Sequence, residues 1–310
     1  MDSVRLVDVA NIDTFPMGRP MRMLVAADDT LVILTYRDET QIKFLSLKDG
    51  EMKGYVRKGE GPDEMLHAEN ITLLRDTVYV TDNLGGKVGK FVRDSLGNRA
   101  FSVIGKVDYN VLTSIPINDD CVITMPSLPD STRFLKTNLM TGESDTCRVF
   151  PFSDPNINNS VAQAMLGMSL DGKNLIVANM SWGVVELFDP ATMARKTVIS
   201  SPIEVDSEIK RQDFEYGFRV LQSPFYDIYG RGVVTTNDRF YLGFIGSCSK
   251  MPETEGREIN KILSFDYDGK VIKAYKLPYD IMTFTVDNSG NLYAIFDDNG
   301  VLRIVTTKLE

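Results

Sequence analysis

The chain has 310 residues, of which 43% are hydrophobic and 25% are charged, and its formal net charge is −9. This composition is typical of a globular protein with enough apolar material for a core. The acidic balance argues against nucleic acid and against anionic lipid surfaces as partners, because both bind basic faces.

Taken in order, the chain repeats one pattern six times, in which an Asp- or Asn-containing turn is followed by a strand that alternates at period two. The spacing between copies is loose, at about 45 to 65 residues. The copies cover residues 26–36, 73–83, 116–126, 169–179, 235–245 and 286–296. Repeats of this kind predict stacked or radially arranged sheets.

After most copies, a second polar turn separates a third and a fourth strand. Recurring four-stranded units predict a single all-β domain over residues 1–310, a six-bladed β-propeller of antiparallel blades. The predicted blades are residues 20–57, 66–106, 110–151, 162–200, 223–277 and 279–307, the last completed by residues 4–10. The alternative is a pair of β-sandwiches, which would not require a regular period.

The last repeat lacks a fourth strand, and the N-terminus has one to spare. Residues 4–9, VRLVDV, are predicted to pair beside residues 301–305 and so complete the last blade. Such pairing would close the ring and leave only short, protected sheet edges.

Three phrases carry a resemblance to a known family: KGEGPDEM at 58–65, TVYVTD at 77–82 and GNLYAI at 290–295. The chain resembles the six-bladed, TolB-like and NHL-like β-propellers of secreted or lipid-anchored bacterial proteins. In that family a Gly-x-Gly-Pro-Gly-Glu-Phe-like phrase joins two blades; here Asp63 replaces the usual glycine and Met65 the usual aromatic residue. The resemblance implies a periplasmic or outer-membrane-anchored protein, with cytoplasmic location as the alternative.

The N-terminal and cysteine patterns add no targeting or disulfide signal. No run of about 18 apolar residues predicts a transmembrane segment. The first residues, MDSVRLVDVA, lack a basic and apolar leader, although a leader or a lipidated cysteine could have preceded them. Cys121, Cys147 and Cys248 follow no CxxC spacing, which predicts buried thiols.

No motif predicts catalysis, a metal or a cofactor. The GEGP phrase at 59–62 is followed by no helix signal, so a tight turn is favoured over a phosphate loop. His67 is the only histidine, which removes His-based metal motifs. The DNSGN phrase at 287–291 fails the calcium-loop pattern and is read as a hairpin turn.

The long irregular segments should gather on one face of the disc. In an antiparallel blade, the second-to-third turns and the crossovers between blades share a face, and here these include residues 57–68, 152–164, 201–225 and 246–260. Residues 204–214 are expected to contain a helical turn. Long loops on a rigid scaffold commonly carry binding sites.

Any ligand is therefore expected near the channel mouth on that face, bound by aromatic and charged side chains. The candidates are Tyr36, Arg37, His67, Trp182, Tyr226 and Asp297. The function predicted is a monomeric, non-catalytic propeller of the cell envelope that binds an unidentified protein, peptide or glycan. The alternatives are a metal-assisted hydrolase or lyase acting on a sugar, and a cytoplasmic interaction module.

Overall fold

A computed structural model describes residues 2–3, 7–11, 17–26, 29–93, 98–107, 111–126, 132–152, 164–214, 217–250 and 258–309. Within these residues the chain consists of strands, turns and loops, without a helix. Six blades of four antiparallel strands form a propeller, as predicted, and one blade carries a fifth, parallel strand at its edge. Nothing helical in the described part of the chain is long and apolar enough to cross a membrane.

The strands follow one another around the ring in chain order. Two short strands come first, β1 (Asp2–Ser3) and β2 (Val7–Asn11). Blades 1 to 3 consist of β3 (Arg19–Ala26), β4 (Thr30–Tyr36), β5 (Thr40–Ser46) and β6 (Met52–Arg57); β7 (Ala68–Leu74), β8 (Thr77–Asp82), β9 (Lys87–Arg93) and β10 (Arg99–Lys106); and β11 (Val111–Asn118), β12 (Cys121–Pro126), β13 (Phe134–Asn138) and β14 (Ser144–Cys147).

The second half of the ring contains blades 4 to 6 and one extra hairpin between blades 4 and 5. Blade 4 consists of β15 (Ala164–Met168), β16 (Leu175–Asn179), β17 (Val185–Phe188) and β18 (Arg195–Ile199), and the hairpin of β19 (Glu208–Phe214) and β20 (Gly217–Ser223). Blade 5 consists of β21 (Tyr226–Thr235), β22 (Arg239–Cys248), β23 (Lys261–Asp266) and β24 (Val271–Lys276), and blade 6 contains β25 (Thr283–Val286), β26 (Asn291–Asp298) and β27 (Val301–Lys308).

The first strand of every blade lines the central channel. These strands contact one another in ring order, β3 with β7, β7 with β11, β11 with β15, β15 with β21, β21 with β25 and β25 with β3. Burial falls at the outer rim: β15, β16 and β17 are buried throughout, whereas β18, the fourth strand of the same blade, is mostly exposed. The first strands, and with them the channel, are therefore enclosed by the sheets of the blades.

The core fills the spaces between neighbouring sheets. One cluster joins blades 1 and 2 through Phe44 and Phe91, whose ring centroids are 4.7 Å apart. Another joins blades 4 and 5, and within it Phe240 and Phe265, both of blade 5, stack with ring centroids 5.0 Å apart. Period-two alternation creates these layers, because each sheet buries both faces against its neighbours.

Asp side chains fix the tight turns, as the sequence predicted. Asp287 Oδ1 accepts hydrogen bonds from the backbone N–H groups of Ser289 and Asn291, both at 2.8 Å. Asp266 Oδ1 does the same for the N–H groups of Asp268 and Lys270. These bonds replace backbone pairing that the turns cannot make.

The N-terminal strand β2 lies beside the last strand of blade 6. It pairs antiparallel with β27, with Val7 opposite Thr306 and Asn11 opposite Arg303. The predicted segment, residues 4–9, overlaps this strand at residues 7–9; residues 4–6 lie outside the described residues. β1 pairs in parallel with β24 at the outer edge of blade 5.

The prediction of a helical turn over residues 204–214 is wrong. β19 pairs with β20 from Glu208 opposite Ser223 to Phe214 opposite Gly217. Burial alternates residue by residue from 201 to 210, and Val205 and Ile209 pack beside Trp182. The period-two spacing of the apolar residues thus outweighs the charged composition that suggested a helix.

Candidate functional site

The central channel widens into a cavity at each face of the disc. The cavity on the face of the crossovers and second-to-third turns, here called the long-loop mouth, has a volume of about 260 Å³. It is lined by Met21, Arg22, Leu34, Tyr36, His67, Ala68, Glu69, Leu112, Thr113, Ala164, Met165, Met180, Arg231 and Gly232. These residues come from five of the six blades, so the site depends on the assembled ring.

Bulges in four of the innermost strands shape the long-loop mouth. In each of these strands the pairing with the second strand of the blade shifts register, which leaves a residue without a partner opposite it. These residues are Met21 in β3, Glu69 in β7 and Leu112 in β11, and Arg231 with Gly232 in β21. All five bulged residues line the cavity. A bulge redirects side chains that regular pairing would point elsewhere, and bulges are enriched beside functional sites.

The bulge in β21 brings two arginines to the cavity. Arg231 has a positive φ of 68°, which is uncommon for a residue with a side chain, and Gly232 follows at 93°. A Cβ on Gly232 would lie 2.6 Å from Nη1 of Arg22, so glycine there lets the Arg22 guanidinium lie against the backbone of β21. The Gly232 N–H donates to Sδ of Met165 at 3.0 Å, which fixes the bulge.

Two buried polar atoms in this cavity have no hydrogen-bond partner among the described residues: Nε of Arg231 and Oγ1 of Thr113. Thr113 is 4% exposed. Buried donors are usually satisfied by protein, water or ligand, because desolvating them without a bond lowers stability. Neither atom is exposed to solvent, so each is an unsatisfied polar group in the wall of the cavity.

Burial in this region lowers the pKa of Arg22, which attraction to Glu69 opposes. Burial also lowers the pKa of Arg231, and the nearby charge of Arg19 adds to the effect. Asp280 and Asp227 act in the opposite direction on Arg231. Arginines start from so high a pKa that both remain charged at neutral pH.

His67 and Tyr36 also line the mouth. His67 Nε2 lies 3.3 Å from Oε2 of Glu69, and this hydrogen bond raises the pKa of the imidazole, against the effect of burial. The rings of Tyr36 and His67 meet edge to face with centroids 5.4 Å apart. The Arg37 guanidinium lies over the Tyr36 ring at 5.4 Å, a cation–π contact.

The crossover between blades 1 and 2 holds His67 in place. Asp82 accepts hydrogen bonds from the backbone N–H groups of Leu66, at 2.7 Å, and His67, at 3.1 Å. Gln41 donates to the carbonyl of Met65 and accepts from the N–H of Ala68. The chain on both sides of His67 is therefore fixed by polar side chains of blades 1 and 2.

A buried lysine organises the earlier part of this crossover. Lys87 is 8% exposed, and its Nζ donates to the carbonyls of Gly61 and Glu64, both at 2.6 Å, and of Glu60 at 3.2 Å. The N–H of Gly61 donates to the Glu64 carboxylate. The GEGP phrase thus forms a tight turn around an ammonium group, in agreement with its interpretation as structural.

The mouth on the opposite face is larger, at about 570 Å³, and differs in charge. It is formed by the first-to-second turns, and its ionisable lining residues are Arg75 and four carboxylates, those of Asp29, Asp76, Asp171 and Asp287. Asp171 and Asp287 already accept backbone hydrogen bonds within their turns. The smaller mouth is the stronger candidate because five bulged residues line it and two of its buried polar groups have no partner among the described residues.

Of the six residues predicted for a site, two line the long-loop mouth, Tyr36 and His67. Arg37 is exposed beside Tyr36. The other three lie outside the lining: Trp182 is buried against Phe152, Tyr226 packs between blades 4 and 5, and Asp297 accepts a hydrogen bond from the Gly300 N–H in its turn.

Sequence reasoning missed Arg22, Glu69, Thr113 and Arg231. A signal was present for the last of these, because the glycines of Gly230-Arg231-Gly232 interrupt a β-branched and aromatic strand, which is typical of a bulge. Arg22 likewise interrupts an apolar run, MRMLVA. Among the described residues, no group of three or more His, Cys, Asp or Glu side chains is arranged to hold a metal ion.

Comparison with known proteins supports the architecture. A family model described as TolB-like 6-blade propeller-like matches residues 3–289. A PQQ-bound aldose sugar dehydrogenase from Streptomyces coelicolor is 12% identical with a TM-score of 0.55, over 99% of this chain and 98% of that one. Kuenenia stuttgartiensis hydrazine synthase is 13% identical with a TM-score of 0.51, over 96% and 97%. No curated protein matches the sequence.

Proposed function

The chain belongs to the TolB-like 6-blade propeller-like family, and from this premise we propose that it is a non-catalytic binding propeller of the bacterial cell envelope. Its ligand or partner group binds in the long-loop mouth. The observation that carries this proposal is the set of bulges in β3, β7, β11 and β21, whose residues all line one cavity.

The groups at the mouth are suited to recognition. Arg22 and Arg231 provide guanidinium donors, Thr113 provides a hydroxyl, and Tyr36 provides an aromatic face beside His67. A mainly apolar cavity with a few convergent polar groups is the usual form of a small-molecule site. A side chain or terminal group of a partner protein, peptide or glycan could enter it equally well.

The cell-envelope location is supported by the resemblance to secreted and lipid-anchored propellers. It is tested by the reading frame upstream of Met1 and by fractionation of the source cells. An apolar leader ending in cysteine, with the protein in the membrane fraction, is the expected result. Recovery from the cytoplasm of cells that express the native reading frame would contradict the location without affecting the binding site.

The binding proposal is tested by thermal unfolding in the presence of monosaccharides, amino acids, dipeptides and short organic acids. A ligand that binds the folded state raises the melting temperature in proportion to ln(1 + [L]/Kd). At least one of these classes should stabilise the wild type and fail to stabilise the double variant Tyr36→Ala, His67→Ala. Phe225→Ala is the matched control, since Phe225 is an exposed aromatic residue outside the cavity.

Two results would contradict the proposal. One is the absence of stabilisation by every class; the other is stabilisation that the double variant retains in full. Turnover of a sugar substrate that requires a divalent ion, and that the double variant loses, would instead favour the metal-assisted hydrolase or lyase.

A further inference from the structure

We propose that the long-loop mouth recognises a small organic carboxylate, with the carboxylate at Arg22 and Arg231 and the apolar body against the surrounding methionine and leucine side chains. This inference rests on the proposed function, because it assigns a ligand class to the same cavity. It goes further in stating the charge, the size and the polarity of the molecule that binds.

The charge balance of the cavity favours an anion. Its ionisable lining residues include Arg22, Arg231 and His67 but only one acid, Glu69, which is paired with His67. Two guanidinium groups therefore exceed the acids of the lining, within a protein whose net charge is −9. Cations concentrated against the overall charge of a protein indicate a local preference for negative ligands.

The same balance favours one negative charge over two. Asp227 and Asp280 attract Arg231 although neither lines the cavity. These two carboxylates offset part of the positive charge of the arginines. The net positive charge that is left matches a singly charged carboxylate better than a phosphate dianion. A guanidinium also binds a carboxylate through two parallel hydrogen bonds, which fixes its orientation.

The donors needed at a carboxylate are present and unpartnered. Nε of Arg231 and Oγ1 of Thr113 are buried with no hydrogen-bond partner among the described residues. Both belong to the cavity lining, on β21 and β11. A small shift of the Arg231 and Thr113 side chains would let a bound carboxylate accept from both groups, and it would remove the cost of leaving them desolvated.

The lining residues and the volume of the cavity indicate the polarity and the size of the uncharged part of the ligand. The uncharged part of the lining is dominated by methionine, leucine and alanine side chains and one tyrosine, namely Met21, Leu34, Tyr36, Ala68, Leu112, Ala164, Met165 and Met180. A volume of about 260 Å³ lies just below the roughly 300–1,000 Å³ that is usual for pockets binding drug-sized ligands. Short aliphatic and small aromatic acids are of this size, and methionine side chains adapt to either shape.

The test is isothermal titration of the full chain with four six-carbon probes that differ in the head group. They are hexanoate, hexanamide, hexylamine and hexyl phosphate. Hexanoate should bind at least tenfold more tightly than hexanamide, because only the ion pairs with the guanidinium groups. Hexylamine should not bind measurably, and hexyl phosphate should bind more weakly than hexanoate.

Three variants separate the proposed contacts from general effects on the fold. Arg231→Gln removes one cation and should weaken hexanoate binding at least tenfold. Thr113→Val replaces an unpartnered hydroxyl by a methyl group, so it should fold normally and still weaken hexanoate binding severalfold. Arg75→Gln removes a cation from the opposite mouth and should leave the affinity unchanged.

Equal affinity for hexanoate and hexanamide, tighter binding of hexyl phosphate, or unchanged hexanoate affinity in Thr113→Val and Arg231→Gln would each overturn the inference. Binding of a neutral ligand that requires Tyr36 and His67, without carboxylate binding, would overturn this inference alone and leave the proposed function standing. No binding by any probe or by any class in the wider panel would remove both.

Discussion

His67 is the most direct reporter of the long-loop mouth, because it is the only histidine in the chain and it lines the cavity. The hydrogen bond to Glu69 raises its pKa, partial burial lowers it, and the charges of Asp82 and Lys58 raise and lower it respectively. The first effect is the largest, so the imidazole remains protonated to a higher pH than an exposed histidine.

We predict that an NMR titration of the single imidazole gives a pKa above the ordinary value of about 6.5. Because the folded-state pKa is raised, the His67–Glu69 pair contributes its full stability below about pH 6.5 and loses it as pH rises through the folded-state pKa. Glu69→Gln should lower the pKa of His67. An unchanged pKa in that variant would show that Glu69 is not the cause.

Gly232 leaves room for the guanidinium of Arg22. Gly232→Ala should destabilise the protein by about 1–3 kcal/mol because the residue has a φ of 93°, and its Cβ, 2.6 Å from Nη1 of Arg22, should displace the flexible end of that side chain. Gly50→Ala is the matched control, since Gly50 also has a positive φ, 73°, but a Cβ there meets nothing within 4 Å.

Both glycine variants should therefore lose stability in chemical denaturation, and only Gly232→Ala should also lose affinity for the ligand. Equal affinity in the two variants would mean that the position of Arg22 does not matter for binding.

The sequence suggested Tyr36 and His67, which line the candidate cavity, but not the two arginines beside them. Tyr36 and His67 stood out because they lie in or beside predicted loops, where functional side chains are usually sought. Arg22 and Arg231 lie inside strands, and period-two alternation does not reveal which strand residues are bulged. Trp182 was conspicuous as the only tryptophan, yet burial beside Phe152 explains it.

Among the elements, the crossover between β6 and β7 has the clearest structural role. Lys87→Met should lower the free energy of unfolding by about 1–3 kcal/mol, because three backbone carbonyls would lose their ammonium donor inside the protein. Lys53→Met is the control: Lys53 is exposed and paired only with Glu51 at the surface, so its loss should change stability by about 0.5 kcal/mol or less.

Chemical denaturation of the two lysine variants decides this point. If Lys87→Met were as stable as Lys53→Met, the crossover would be held by Asp82 and Gln41 alone.

Turns and strands were predicted better than bulges and insertions. The Asx turns follow from side-chain chemistry that is local in sequence, as at Asp287. The β19–β20 hairpin was missed because of the seven charged or amide residues from 204 to 213. They obscured the spacing of Ile203, Val205 and Ile209, which are separated by multiples of two residues as in a strand. The bulges depend on packing between blades, which no short window of sequence contains.

Because β2 pairs with β27, we predict that the stability of the ring depends on its N-terminal strand. Deletion of residues 1–11 should destabilise the protein and promote association, because the edge of β27 would be left unpaired. Deletion of residues 1–3 removes only the two-residue pairing of β1 with β24 and should have a much smaller effect. Equal stability of the two truncated proteins, measured by thermal unfolding and light scattering, would contradict this role of β2.

The propeller fold was predictable because the pattern of a polar turn followed by an alternating strand is repeated six times along the chain. Loose spacing and an irregular insertion such as β19–β20 do not hide a pattern that recurs in each blade. The two mouths differ in charge. The long-loop mouth has two arginines in its lining, and the opposite mouth has four aspartates and one arginine. This difference arises only when the blades are assembled. Nothing in a single repeat specifies it.

Binding of an organic carboxylate in the long-loop mouth is tested most directly by the NMR signal of the His67 imidazole during titration with hexanoate. We predict a saturable shift of this signal and a further rise in the pKa of His67, because a nearby anion favours the protonated ring. Hexanamide at the same concentrations, or hexanoate added to Arg231→Gln, should produce little change. A signal that does not respond to hexanoate, or responds equally to hexanamide, would contradict the account.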